Sequence, residues 1–152
     1  QRLSDEDSPW LPDTSRSLGI RFKGYRLDGK RRPTFSYVYG GTAVSDKPMD
    51  LLDKQTNRVY LARTIRLEGG GLGGLYFRAA VHQEVTGEED GSVTVGGKVN
   101  IRASRSLLGG KRKALKFLVR PSGKAREAVV AIGNEGGAAE ILFEYRWLEE
   151  EK

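Results

Sequence analysis

The stretch RVYLARTIRLE, residues 58–68, alternates strongly between polar and apolar side chains. The apolar side chains of one face recur at every second position, at Val59, Leu61, Ile65 and Leu67. Arg63 falls in the same row and is the exception to it. Period-two alternation is typical of a strand with one buried face. The stretch therefore predicts a long core strand.

Two neighbouring stretches predict further strands with one apolar face. In LYFRAAV, residues 75–81, that face carries Leu75, Phe77, Ala79 and Val81. The opposite face carries Tyr76, Arg78 and the following residue, His82. In AEILFEYRW, residues 139–147, the shared face carries Ile141, Phe143, Tyr145 and Trp147. These segments are rich in the β-branched and aromatic residues that strands favour.

Shorter strand candidates complete an all-β pattern. They are GIRFKGYRLD (19–28), PTFSYVY (33–39), SVTV (92–95), KVNIRA (98–103), ALKFLVR (114–120) and EAVVAI (127–132). A spacing of about ten residues per strand and turn is typical of sandwiches and barrels. We therefore expect a two-sheet antiparallel β-sandwich, of jelly-roll or immunoglobulin-like type. At most one short helical turn is expected, after Pro48 in DKPMDLLDKQTNR.

The stretch GYRLDGKRRPTFSY, residues 24–37, predicts a hairpin folded about Asp28 and Gly29. Glycine accepts a positive φ at little steric cost, so an Asp-Gly pair favours a tight turn. Pro33 then stands at the start of the second strand, where a residue without an N–H is tolerated.

The chain of 152 residues is long enough for one core of ordinary size. Residues 1–17 are polar and contain two prolines, so we expect a linker or arm there, pinned by Trp10. A single sandwich domain is expected over residues 18–148, followed by an acidic tail at 149–152. No apolar run reaches the roughly 18 residues of a membrane helix, so no membrane segment is expected.

The sequence contains no cysteine, which excludes disulfides, thiolate metal sites, cysteine nucleophiles and covalently attached c-type haem within it. His82 is the single histidine, which is too little for a convincing triad or zinc site. The loop from Glu88 to Asp90 lacks the alternating ligand spacing of a calcium loop. We therefore predict no catalytic residues, no metal ligands, no cofactor and no enzymatic activity.

The glycine-rich stretch GGGLGG, residues 69–74, has glycines at a spacing similar to that of dinucleotide-binding loops. That fingerprint requires a helix after the glycines, whereas a predicted strand follows here. We interpret the stretch as a hairpin loop.

Positive charge is concentrated in one segment of a chain whose formal net charge is +6. Residues 102–126 contain nine Lys or Arg and no Asp or Glu. A polyanion site in this segment would use Arg102, Arg105, Lys111, Arg112, Lys113 and Lys116. Alternation in ALKFLVR favours an ordinary solvated sheet face, and nucleic acid is a disfavoured partner.

Aromatic residues are the remaining candidates for ligand binding. Phe35, Tyr37 and Tyr39 share one face of PTFSYVY, and exposed rings of this kind stack on sugars. Core packing explains most of the rings in the chain. The candidate ligand platform consists of Trp10, Tyr25, Tyr37 and Tyr39.

Four short motifs, F.GYRLD, PTF.Y, GG..V and LYFRAA, resemble a segment of very large multidomain proteins of planctomycetes and verrucomicrobia. In those proteins a sugar-dehydrogenase-like propeller and c-type haem domains flank accessory β domains. The resemblance implies a periplasmic or extracellular β-sandwich module that binds polysaccharide or holds neighbouring domains together. It implies no haem in this chain and no catalytic residues, because the matching positions are turn and packing positions.

Three functions remain open at this stage. The first is a noncatalytic accessory module of a large redox protein that binds carbohydrate. The second is a purely structural module whose partners are neighbouring domains of the same parent chain. The third is polyanion binding through residues 102–126.

Overall fold

The chain forms an all-β structure of two antiparallel sheets, which confirms the predicted fold class. The computed structural model describes residues 1–11, 16–133 and 137–149. Within these residues the strands are β1 (Ile20–Leu27), β2 (Pro33–Tyr39), β3 (Thr42–Asp53), β4 (Arg58–Gly69), β5 (Tyr76–His82), β6 (Val85–Gly87), β7 (Val93–Val95), β8 (Val99–Ser106), β9 (Arg112–Leu115), β10 (Leu118–Ser122), β11 (Ala125–Ala131) and β12 (Ala138–Trp147). A 3-10 turn, Leu108–Gly110, is the only helical piece in the same ranges.

The larger sheet has the order β1-β2-β3-β4-β12-β8-β7-β6, and β9 also pairs with β8. The smaller sheet has the order β10-β11-β5, so β5 is one of its edge strands. Across the described part of the chain, no helix has the length and apolar character needed to cross a membrane. Positions 12–15 of the expected arm and 150–152 of the expected tail lie outside the described residues.

Phenylalanines from both sheets form the centre of the core. The fully buried ring of Phe143 on β12 lies 4.4 Å from that of Phe77 on β5 and 6.4 Å from that of Phe117, centroid to centroid. Ile65 of β4 is buried in the same cluster, as the alternation predicts, whereas Val59 at the start of that strand is exposed. The core therefore lies under the second half of β4.

The expected helical turn after Pro48 is absent, because these residues continue β3. Strand β2 pairs with β3 only as far as Asp46, whereas β4 pairs with it as far as Asp53. Pro48 therefore lies where β3 has a neighbour on one side only, and an edge position tolerates its missing N–H. The prediction of a helical turn was wrong because β2 is short and leaves this part of β3 at an edge, where a strand can contain Pro48. The length of β2 cannot be predicted from the residues around Pro48.

A β-bulge in β5 changes which side chains face the core. The register of β5 against β11 shifts at Ala79, where β5 carries one extra residue. Val81 consequently lies opposite Glu127 on the outer face of the smaller sheet. His82 shares the inner face with Ala128, although it is exposed at the end of the strand. Two predictions were therefore wrong beyond the bulge: that His82 points outward, and that β5 has one continuous apolar face.

The glycine-rich stretch is not a hairpin loop, because β4 and β5, which it joins, belong to different sheets. Leu72 within it is fully buried between the sheets. The carbonyls of Gly71 and Gly73 accept hydrogen bonds from the Arg2 guanidinium, and that of Gly70 accepts one from a threonine hydroxyl. These contacts use carbonyl oxygens, whereas a phosphate cradle is built from backbone N–H groups.

Candidate ligand-binding cleft

The predicted hairpin is present, and Asp28 organises its turn. The Asp28 Oδ1 accepts the backbone N–H groups of Lys30 at 2.8 Å and Arg32 at 2.9 Å, and Oδ2 accepts the Arg32 Nε–H at 3.0 Å. These hydrogen bonds, above all that from the Arg32 backbone, hold the pKa of Asp28 at about 2. The positive φ of the loop is at Arg31, at 62°, and not at Gly29, so that detail of the prediction was wrong.

A second bulge places two aromatic rings of β1 on one face. The register shifts between Phe22 and Gly24, which leaves Lys23 as the extra residue. Gly24 has a φ of 128°, a conformation that residues with a side chain rarely adopt. Phe22 and Tyr25 are three positions apart and consequently share a face, whereas an unbroken strand would turn them to opposite faces.

These rings form one surface with those of β2. The ring centroids of Phe22 and Tyr37 lie 5.4 Å apart, and those of Tyr25 and Phe35 lie 6.2 Å apart. Phe22 is 57% exposed, Tyr25 is 62% exposed, and Leu27 at the same end is 51% exposed. We call these five residues the hairpin surface. The side chains of Phe22, Tyr25 and Leu27 are therefore accessible to a ligand or a partner over more than half of their surface.

A cleft of about 210 Å³ lies between β2, β3, β4 and the edge strand β5. Its apolar wall includes Ile20, Tyr37, Tyr39, Leu67, Leu75 and Phe77. Its charged side chains are Asp46 and Arg63. Tyr37 belongs both to the cleft and to the hairpin surface, so the two are continuous.

Asp46 and Arg63 form a bidentate ion pair across β3 and β4. The Arg63 Nε donates to both Asp46 oxygens, at 2.8 and 3.0 Å, and Nη2 donates to Oδ2 at 2.5 Å. The Arg63 guanidinium also lies over the Phe77 ring, 5.2 Å from its centroid. The Asp46 carboxylate raises the pKa of Arg63, and burial raises the pKa of the neighbouring Tyr145. The polar interruption in the apolar row of β4 is thus a paired charge at the edge of the core.

The structure brings together three of the four residues proposed as a ligand platform. Tyr37 and Tyr39 line the cleft, and the Tyr39 hydroxyl accepts a backbone N–H of Arg2 at 3.3 Å. Tyr25 lies on the same face of the hairpin, towards its loop. The remaining residue, Trp10, is elsewhere.

Trp10 lies on the outer face of the smaller sheet. Its ring stacks on the guanidinium of Arg78, 4.9 Å from centroid to Cζ, and Arg78 in turn pairs with the buried Glu127 at 3.4 Å. Leu3 of the same N-terminal segment is also buried. Since Arg78 and Glu127 point away from the core, the smaller sheet separates Trp10 from Tyr37.

The cations of the basic segment lie in different environments. Arg102 pairs with Asp90 at 2.9 Å, and Arg112 donates to the hydroxyls of two serines. Arg105 points inward and donates to the Ile132 carbonyl at 2.5 Å. The lysines of the proposed polyanion site are exposed and form no ion pair within the described residues: Lys111, Lys113 and Lys116.

The acidic loop is occupied by internal hydrogen bonds. Glu88 accepts the Thr94 hydroxyl at 2.6 Å, and Asp90 accepts the Ser92 hydroxyl at 2.6 Å. Over the residues that the structure describes, no three Asp, Glu or His side chains are grouped so that they could hold a metal ion. His82, outside this loop, interacts through Nδ1 with the backbone of Glu84.

Sequence reasoning missed Asp46 and Phe22 as members of the site. Asp46 lies in the stretch predicted to contain a helical turn, so no strand partner was predicted for it. Phe22 was passed over because the bulge changes the parity of β1. The isolated Arg63 in an apolar row was a usable signal, since a charge at such a position requires a partner.

Comparison with protein family models, with curated proteins and with solved structures finds no match to this chain. Its function is therefore inferred from the chemistry of its surface and from the motif resemblance.

Proposed function

We propose that this chain is a noncatalytic carbohydrate-binding module of a larger periplasmic or extracellular redox protein. One observation carries the proposal: Tyr37 lines a cleft with a polar ion pair and also continues into exposed rings on the same face. Aromatic faces stack on the C–H faces of sugar rings, and a few polar groups fix the orientation of the ligand. The parent protein and the location are proposed on the motif resemblance alone.

The size of the cleft suits part of a ligand rather than the whole of it. Its volume of about 210 Å³ is below the roughly 300–1,000 Å³ of sites that enclose a drug-sized molecule. A polysaccharide with one sugar unit in the cleft and its other units across Phe22 and Tyr25 would use both the small cleft and the exposed rings. The Arg63–Asp46 pair then offers donors and acceptors to sugar hydroxyls.

The cleft supports binding without catalysis. Glycoside hydrolysis uses two carboxyl groups that flank the scissile bond. Asp46 is the only carboxylate that lines this cleft among the described residues. The described residues of the cleft therefore do not supply both a general acid and a nucleophile or base.

A structural module is the second candidate, because the exposed Phe22, Tyr25 and Leu27 would also suit contact with a neighbouring domain. This candidate predicts no affinity for any glycan. It also predicts that these side chains become protected when a flanking domain of the parent protein is present.

A glycan-array screen of the whole chain, with neutral and acidic polysaccharides, tests the proposal. We expect binding to one glycan class, with affinity reduced about tenfold in Tyr25→Ala and more in Tyr37→Ala. Tyr25 is largely exposed, so its variant keeps the fold even if Tyr37→Ala loses stability. Tyr60→Ala is the matched control, because this ring lies against Arg146 in another pocket.

Binding that survives in both hairpin variants would contradict the proposed site. Absence of binding to every glycan would contradict the proposed function and favour the structural module. Equal loss in Tyr60→Ala would show that the effect reports stability rather than contact with the ligand.

A further inference from the structure

The hairpin carries the densest set of unpaired positive charges in the described part of the chain. Residues 21–32 contain six Lys or Arg and one acidic residue, Asp28. Asp28 pairs with Arg32 at 3.0 Å and lies 3.8 Å from Lys47. The other cations, here called the hairpin cations, are exposed and form no ion pair within the described residues: Arg21, Lys23, Arg26, Lys30 and Arg31.

Arg21, Lys23 and Arg26 lie on the edge strand β1, and the other two hairpin cations lie in the loop that follows it. Among the residues that the structure describes, strand β1 pairs only with β2 and ends the larger sheet. Arg21 and Arg26 are on the face opposite the rings, as their pairing with Val38 and Thr34 shows. Lys23 is the bulged residue between them. An extended ligand along this edge therefore meets aromatic rings on one side and long cationic side chains on the other.

We propose that the edge of β1 and the hairpin surface together bind an acidic polysaccharide, one that carries carboxylate or sulfate groups. This inference rests on the proposed carbohydrate-binding function and specifies its ligand class. Opposite charge raises the association rate and fixes the path of an extended ligand. The rings supply contact with the sugar rings, and the hairpin cations supply contact with the acidic groups.

The geometry favours a polysaccharide over a nucleic acid. The ring pairs are tilted by 53° for Phe22 and Tyr37 and by 51° for Tyr25 and Phe35, so they do not form a flat stack for successive bases.

The test compares polygalacturonate with its carboxyl-reduced form, and dextran sulfate with dextran, over a range of salt concentrations. We expect the affinity for at least one acidic form to be at least about tenfold higher than that for its neutral counterpart. In Arg21→Gln/Arg26→Gln, affinity for that acidic form should fall about tenfold, and the slope of log K against log salt should fall by about two. Both residues are exposed, so the variant retains the fold.

Lys111→Gln/Lys113→Gln is the matched control, because it removes the same charge from the exposed part of the basic segment. Its affinity should stay within about twofold of the unmodified chain. Equal loss in this variant would overturn the inference in favour of nonspecific charge attraction or the basic segment.

Equal affinity for the acidic and neutral forms, with dependence on Tyr25, would overturn the inference and leave the carbohydrate-binding function standing. Tighter binding of single-stranded DNA than of every acidic polysaccharide would overturn it in favour of nucleic acid. Absence of affinity for all four polysaccharides, together with no binding on the array, would overturn both proposals.

Discussion

Phe22 and Tyr25 share one face of β1, although three positions separate them, because Lys23 is an extra residue in the pairing with β2. The bulge doubles the number of exposed rings on the hairpin surface. It depends on Gly24, whose φ of 128° is accessible mainly to glycine.

Replacement of Gly24 should therefore damage both stability and ligand binding. In Gly24→Val we expect a loss of about 1–3 kcal/mol in the free energy of unfolding, because a β-branched residue is strained at this φ. Urea unfolding measures the change. Gly29→Ala is the control, since Gly29 has no positive φ and open space around it, and should change stability by less than about 0.5 kcal/mol. Equal effects of the two substitutions would contradict the role given to the bulge.

The Arg63–Asp46 pair predicts a large asymmetry between single and double substitutions. Asp46→Ala leaves the Arg63 guanidinium without its partner at the edge of the core, and we expect it to cost about 3 kcal/mol. Asp46→Ala combined with Arg63→Ala should cost less than the sum of the two single changes. A double-mutant cycle with urea unfolding measures the coupling, and strict additivity would contradict the pairing.

Asp28 predicts a specific dependence of stability on acid pH. Its pKa is about 2 in the folded chain, below the value of about 3.9 in an unfolded chain. The folded state therefore gains stability from the ionised carboxylate above pH 4 and loses it as the pH falls towards 2. We expect the Tm difference between the unmodified chain and Asp28→Asn to be constant from pH 7 to 5 and to shrink below pH 4. A difference that stays constant down to pH 2 would contradict this linkage.

Glu127 predicts that the N-terminal segment and the smaller sheet depend on one another. The carboxylate is only 2% exposed and accepts the Arg120 Nε–H at 2.7 Å, while Arg120 also donates to the Glu6 carbonyl. Glu127→Ala should cost about 3–5 kcal/mol, because it leaves Arg120 without its partner on a mostly covered face. Thermal unfolding measures the loss, with the exposed Glu89→Ala as control. A loss of stability equal to that of Glu89→Ala would show that the buried contacts of Glu127 do not stabilise the fold.

The local sequence pattern was sufficient to predict strands that contain no bulge of their own. Strand β4 was predicted almost to its ends, and β2 begins at Pro33 as expected. The hairpin was predicted as well, because turn residues and alternation are both local properties. These successes concern element type and approximate bounds.

The local pattern failed where pairing with a distant strand decided the outcome. The bulge at Ala79 reversed the faces of β5, and the position of Pro48 depended on the length of the neighbouring β2. Trp10 was grouped with the hairpin rings, although the smaller sheet separates them. None of these relationships follows from residues close together in the chain.

The sequence by itself determined that this protein is an all-β chain with a hairpin near residue 28 and an excess of positive charge. Those properties depend on alternation, on turn residues and on composition, which are local or additive. Only the tertiary structure decided that Asp46 meets Arg63, that Phe22 joins Tyr25, and that arginines of the basic segment face acids, hydroxyls or the core. Cross-strand register and bulges set these contacts, and both result from hydrogen bonding between residues that are distant in sequence.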